Sequence, residues 1–184
     1  MGMIRRIINK IRGEKPLTIY EQSDLLIEEM RKQGAKIGTN VTILNSEIDA
    51  NNRYLIEIGD DVTITGATIL THDACMLKRT GFIKIGHITI GNNVFISKGT
   101  IILPNTTIGN NVIVGAGCVV AKDIPDNVVV VGNPLRILYS YDEFLEKHKK
   151  IMENAIVVTS GEYQEESVRA QVKKEGFCYI KKQQ

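Results

Sequence analysis

The sequence predicts a mainly β chain wound as a parallel β-helix, with a short helix before the coils and a helical extension after them. Three observations carry this. From Ile90 an aliphatic residue recurs at every sixth position, through Ile96, Ile102, Ile108, Val114 and Val120. Four places after each stands a small or β-branched residue: Val94, Thr100, Thr106, Val112, Cys118 and Ile124. The apolar residues, 43% of the 184, are mostly Ile and Val, with no Trp and only 5% aromatics, a composition that suits narrow strand-built interiors.

A period of six fits neither a 3.6-residue helix nor an alternating hairpin. It fits a short strand and a turn, repeated, with three such pieces closing one triangular coil. The aliphatic residue and its small partner point into the bore. Gly and the Asn-Asn or Asp-Asp pairs supply the corners, since Gly and Asn tolerate positive φ. Coils stacked about 4.8 Å apart hydrogen-bond in parallel and bury together a core that no single coil could bury. An earlier block repeats the pattern at Ile58-Gly59 with Val62 and at Ile64 with Thr68, and a fainter start lies at Ile37-Gly38 with Val41 and Ile43.

Around the coils the chain divides into segments 1–36, 37–138 and 139–184. In the first, "SDLLIEEMRKQGAKIG" reads as a helix capped by Ser23 and ended by Gly34. Before it, "MGMIRRIINKIRG" sets Arg5, Arg6, Lys10 and Arg12 among isoleucines at helical spacing. This is a short amphipathic helix docked on its own domain, or one in weak contact with a membrane surface. In the last segment, "YDEFLEKHKKIMEN" puts Phe144, Leu145, Ile151 and Met152 on an amphipathic helix, and a further helix and strand follow. A net charge of +2 gives little pull towards nucleic acid. No apolar run reaches membrane-spanning length and no signal peptide is visible. Cys75, Cys118 and Cys178 are spaced for neither a zinc site nor a disulfide framework, so a cytoplasmic protein is expected.

Between residues 71 and 84 the repeat breaks. Counting on from Ile64 reaches Leu70, Met76 and Phe82, yet the later register starts at Ile90, twenty residues after Leu70. Residues 71–84 therefore leave the coil as a loop, and Asp73, Lys78, Arg79 and Gly81 suit solvent better than a dry bore. Loops on a rigid scaffold carry much of protein chemistry. His72 stands at the root of this one. An imidazole can take the proton of a hydroxyl or amine that attacks an acyl group; the alternative is a histidine that merely caps the loop. Asp73 is adjacent on an extended chain, points the opposite way, and so is a poor orienter of His72; it could face an acceptor. Cys118 fills an inward column and reads as a core thiol. His87 and His148 read as structural or solvated.

The stretch "ITIGNNVFISKGTIILPNTTIGNNVIVGAGCVVAKDIPDNVVVVGNPLRIL" resembles the C-terminal coils of the hexapeptide-repeat acyltransferases, with "GAG", "KDIP" and "GNP" before a basic residue carrying the likeness. It is close over residues 56–138 and looser over 20–55. The resemblance implies a left-handed β-helix, a homotrimer, acetyl-CoA as cosubstrate and no metal. Galactoside and maltose acetyltransferases place their catalytic histidine in the same loop, and "THD" is similar to acetyltransferases of surface-polysaccharide synthesis. That implies His72 as general base and a sugar or surface-polysaccharide hydroxyl as acceptor. By the same resemblance Ala116, Ala121, Lys122 and Arg136 contact the coenzyme. Lys98 stands where relatives keep Ser or Gly beside the thioester, able to serve there through its backbone N–H. Tyr139 replaces a second basic residue of the relatives. Asn45 falls near an active-site asparagine of galactoside acetyltransferases, or is a plain corner residue. Since one solenoid wall encloses little, a neighbouring copy is expected to complete the groove. Other readings are N-acetylation of an amino sugar or small amine and a non-catalytic trimeric scaffold. A γ-class carbonic anhydrase would need three histidines converging on zinc, and the three here lack that spacing.

Overall fold

The computed structural model describes residues 16–181, so the basic stretch with Arg5, Arg6, Lys10 and Arg12, and the membrane contact read from it, lie outside the described residues. The chain forms two compact units, Met1–Tyr141 and Asp142–Gln184.

In the first unit three parallel sheets are visited in turn. Face one holds Lys36–Ile37, Ile56–Ile58, Ile88–Ile90 and Thr106–Ile108. Face two holds Thr42–Leu44, Thr63–Thr65, Val94–Ile96, Val112–Val114 and Val128–Val131, and face three holds Glu47–Ile48, Thr68–Ile69, Ile101–Ile102 and Val119–Val120. Four successive passes round the three faces make coils 1 to 4, and Val128–Val131 begins a fifth. From coil 3 to coil 4 the register is eighteen residues, with Val94 beside Val112 and Ile102 beside Val120. Both predicted columns face inward: every residue in them, from Ile90 to Ile124, is at most 3% exposed. Each Val or Ile so buried contributes about 1.5–3 kcal/mol.

At the corner of faces one and two the paired Asn and Asp residues divide the work. The second of each pair, at Asn40, Asp61, Asn93, Asn111 and Asn127, takes φ of 52 to 60°. The first accepts a backbone N–H from the coil below: Thr39 to Asp60 (2.6 Å), Asp60 to Asn92 (2.7 Å), Asn92 to Asn110 (2.8 Å) and Asn110 to Asp126 (2.6 Å). Side chains thus ladder one edge of the stack. Beside the ladder, a Cβ on Gly91 would stand 2.8 Å from the Gly109 carbonyl, so no side chain fits.

Two expectations are corrected here. Thr68 is not an inward partner of Ile64; Ala67 and Ile69 fill the bore instead, at 1% and 0% exposure. Gly66, at φ +56°, closes its corner with one residue fewer than Lys98-Gly99 does above it. Coils 1 and 2 are 21 residues apart, with Thr42 beside Thr63 and Glu47 beside Thr68, because the passage from Ile48 to Ile58 is lengthened by the turn at Arg53–Leu55. Nor is Ser23 an N-cap. The first helix, α1 (Ile19–Lys32), starts at Thr18 with a capping box: Thr18 Oγ1 accepts the Glu21 N–H and the Glu21 carboxylate accepts the Thr18 N–H. Ser23 is buried inside α1, and its hydroxyl accepts the Ile43 N–H at 2.8 Å.

That bond is part of a lid on the stack. Arg31 of α1 donates to the carbonyls of Ile37 (3.0 Å) and Gly38 (2.7 Å), and Met30 and Ile27 close the bore. Gly34 follows α1 at φ +93°, as anticipated. At the opposite end Arg136–Ser140 runs antiparallel to Val128–Val131 and terminates the parallel pairing.

The second unit contains most of the helix Tyr141–Glu153 and a parallel pair, Val157–Thr159 with Tyr179–Lys181, joined through the helix Glu166–Glu175. The strand Val157–Thr159 is additional to the helix and strand anticipated. His148 is less solvated than expected, with Nδ1 3.0 Å from the Tyr179 hydroxyl and its ring 4.3 Å from that of Phe144. Among the described residues no helix is long and apolar enough to cross a membrane.

Candidate active site

The extruded loop leaves coil 2 at the corner of faces three and one. From Ile69 the chain needs 21 residues to regain the bore at Ile90, where the same passage from Ile102 to Ile108 takes six. His72–Asp73 pairs antiparallel with Lys84–Ile85, and the Gly86 N–H donates to the Thr71 carbonyl at 2.9 Å. The loop is therefore a necked hairpin, with a helical turn at Leu77–Thr80 ended by Gly81 at φ +78°.

His72 sits in the neck, its side chain 41% exposed, and its Nδ1 is hydrogen-bonded to Oδ2 of Asp49, whose side chain is 4% exposed. Asp49 occupies the same corner one coil lower. Its Oδ2 also accepts the Thr71 hydroxyl (2.7 Å) and N–H (3.3 Å), and its Oδ1 accepts the Asn51 N–H (3.3 Å). Burial alone would raise this carboxyl; the hydrogen bonds from Thr71, His72 and Asn51 outweigh it and bring the pKa down to about 2. Asp49 is thus an acceptor-only carboxylate at neutral pH, so Nδ1 carries the proton and a neutral His72 offers its Nε2 lone pair outward. Sequence reasoning missed Asp49. The 21-residue spacing of coils 1 and 2 was the signal, because it puts Asp49 beneath Leu70, at the loop's root.

Asp73 does not orient His72. Its carboxylate accepts the Cys75 N–H at 2.8 Å, and that bond, with the Cys75 thiol, holds its pKa below the ordinary range. Among the described residues no three His, Cys, Asp or Glu side chains form a group that could hold a metal. A groove of about 500 Å³ lined by Asp24, Glu28, Arg31 and Asn40 lies between α1 and coil 1, at a different corner from His72.

The remaining candidates divide between two edges of face three. On the histidine edge, two coils above His72, are Ala121 and Lys122. On the opposite edge stand Asn45 in coil 1, Lys98 in coil 3 and Ala116 in coil 4, with Arg136 just past face two of the fifth pass. Asn45 holds a corner at φ 48° and does not meet His72 within one chain. All of Asn45, Lys98, Ala116, Ala121, Lys122 and Arg136 are exposed. The alanine edge is nearly bare: Gly99 and Gly117 turn there at φ 77° and 70°, and a Cβ on Gly117 would meet nothing within 4 Å. Such an edge admits a slender amide-bearing chain, and the cations at Lys122 and Arg136 suit phosphates.

A family model described as bacterial transferase hexapeptide (six repeats) matches residues 87–122. The chain is 41% identical over 148 residues to Protein CapG of Staphylococcus aureus, an alignment covering 77% of this chain and 84% of that protein. It is 36% identical over 123 residues to the galactoside O-acetyltransferase of Escherichia coli (strain K12), covering 60% and 59%. Among solved structures, a hexapeptide-repeat acetyltransferase of Vibrio cholerae complexed with acetyl coenzyme A superposes with a TM-score of 0.54 at 28% identity, covering 59% of this chain and 61% of that one.

Proposed function

Because this chain belongs to the hexapeptide-repeat transferase family, we propose that it moves an acetyl group from acetyl-CoA to a hydroxyl of a sugar or surface-polysaccharide precursor. The acetyltransferase activity and the acetyl-CoA cosubstrate are those of its relatives; the acceptor and the residue roles are our reading. The observation that carries them is the His72–Asp49 pair in the loop's neck, with Nε2 directed away from its partner.

In this mechanism His72 Nε2 takes the proton of the acceptor hydroxyl as its oxygen forms a bond to the acetyl carbon. Asp49 holds the ring in place and offsets the charge of the imidazolium. The backbone N–H of Lys98 makes no hydrogen bond among the described residues and is the donor we assign to the negative charge developing on the acyl oxygen. His72 then gives its proton to the departing sulfur, so the base is regenerated. Ala116, Ala121, Lys122 and Arg136 hold the coenzyme.

One chain separates the base from the alanine edge by the whole of face three. We therefore take the working enzyme to be a trimer of left-handed β-helices, in which the histidine edge of one copy faces the alanine edge of the next and makes three sites. We also take it to be cytoplasmic, consistent with its free cysteines. Thiol release from acetyl-CoA with a panel of sugars and amines tests the activity, and His72→Ala should abolish transfer while coenzyme still binds. Mixing His72→Ala chains with Ala116→Trp chains tests the shared site. Each variant alone is inactive, but reassembled random trimers should regain about a quarter of the sites, since one interface in four joins two intact halves. No recovery, or full activity in His72→Ala, would remove this reading.

A further inference from the structure

We infer that the acceptor saccharide carries a negative charge, a carboxylate or a phosphate, and that the Lys98 ammonium recognises it; the inference rests on the acetyltransferase reading above. Lys98 is exposed at the corner of faces two and three in coil 3. Its ammonium forms no ion pair or hydrogen bond among the described residues.

Gly66, on coil 2, gives the lysine its direction. A Cβ built on Gly66 would stand 3.0 Å from Lys98 Cγ, closer than to Lys98 Cβ (3.6 Å) or Cα (3.7 Å). The first carbons of the stem therefore lean over the side-chain-free face of Gly66, which leaves the lysine room to reach down to coil 2. Coil 2 is the level at which the chain runs from Thr68–Ile69 into His72. Where the two edges face one another, the ammonium is accordingly within reach of the height of the base and the acceptor.

The carboxylates nearest that height are already engaged. Asp49 serves His72 and Thr71, and Asp73 serves the Cys75 N–H. Glu47, on face three one coil lower than Gly66, makes no ion pair with Lys98. The amide of Asn45, below Gly66 on the same edge, can add a neutral hydrogen bond. A compact cation with an amide beneath it matches an anionic oxygen flanked by a hydroxyl, and a charge-assisted bond is the stronger of the two.

The test compares kcat/KM for matched neutral, uronate and 6-phosphate forms of one methyl hexoside at saturating acetyl-CoA. The wild type should favour one anionic form by about tenfold, equivalent to about 1.4 kcal/mol, and the uronate and phosphate arms say which anion it reads. In Lys98→Gln that ratio should fall towards one, while Lys98→Arg keeps most of it. Gly66→Asn, which tolerates the corner's φ but displaces the lysine stem, should lose it too. The ratio is the readout, so any general loss of turnover cancels. A ratio unchanged in Lys98→Gln, or a wild type that prefers the neutral sugar, overturns the inference and leaves the acetyltransferase reading standing. A changed coenzyme affinity with an intact ratio also overturns it, by moving Lys98 to the coenzyme side. If no acceptor promotes thiol release, both fall.

Discussion

Replacing Asp49 by Asn keeps the side chain's shape and removes its charge. One oxygen, Oδ2, serves both Thr71 and His72, so the amide oxygen of the variant settles there and its nitrogen faces Asn51. The Nδ1–H of His72 then keeps an acceptor and the ring its tautomer, but that acceptor is neutral. What the imidazolium loses is the charge. Opposite charges about 4 Å apart at an effective dielectric near 20 attract by about 4 kcal/mol. With His72 41% exposed, solvent screening cuts that to roughly 2–3 kcal/mol, a fall in kcat of about 30- to 150-fold. Steady-state thiol release should show this with the KM for acetyl-CoA little changed. The same carboxylate contributes to stability with a definite sign. Its folded pKa of about 2 lies below the ordinary 3.8, so the native state binds the proton less readily than the unfolded chain. The contribution is complete above about pH 4 and is lost as pH falls through about 2; after screening it is on the order of 1–2 kcal/mol. Urea melts of Asp49→Asn should therefore lack that acid-sensitive increment. A variant that keeps a third of wild-type kcat, or the same acid flank in its melts, would refute the role given to Asp49.

Two further outcomes are expected. Acetyl-CoA at a hundred times its Kd should stabilise the native protein by about 2.7 kcal/mol, read as a rise in Tm; the same rise should persist in His72→Ala, and its loss there would make His72 a coenzyme contact instead of the base. Gly91→Ala should cost at least about 2 kcal/mol in a urea melt, because its Cβ would lie 2.8 Å from both the Gly109 carbonyl and Asn110 Oδ1; a loss under about 0.5 kcal/mol would show that the coils can part there without breaking the ladder.

The columns from Ile90 to Ile124 were legible because a narrow bore admits only aliphatic and small residues, and composition at each sixth place reports that directly. The corner at Gly66 was not. A five-residue step from Ile64 to Ile69 and a six-residue step to Leu70 both land on an aliphatic residue, so only a backbone angle separates the two registers. The start of α1 was readable in principle from Thr18 and Glu21, three residues apart, but Ser23 stood nearer the apolar run and drew the boundary inward. The place of His72 at the root of an extruded loop was legible from the broken repeat. The carboxylate bonded to it was not, because Asp49 lies 23 residues away and becomes a neighbour only through the 21-residue register of coils 1 and 2. The division of the candidates between two edges needed the topology, since a repeat reports which residues face outward but not at which corner.

A column of near-identical rungs has no internal means of counting them. Each terminal rung presents a row of backbone donors and acceptors that another molecule's terminal rung would match. In this chain Ser23 and Arg31 bond three of those groups at one extremity of the first unit's stack, and a reversed strand covers the face-two edge at the other, so each end of the stack carries a stopper. Rungs inserted between the two stoppers would lengthen the stack without exposing a new adhesive end, so growth in the middle is tolerated while erosion of either stopper invites polymerisation.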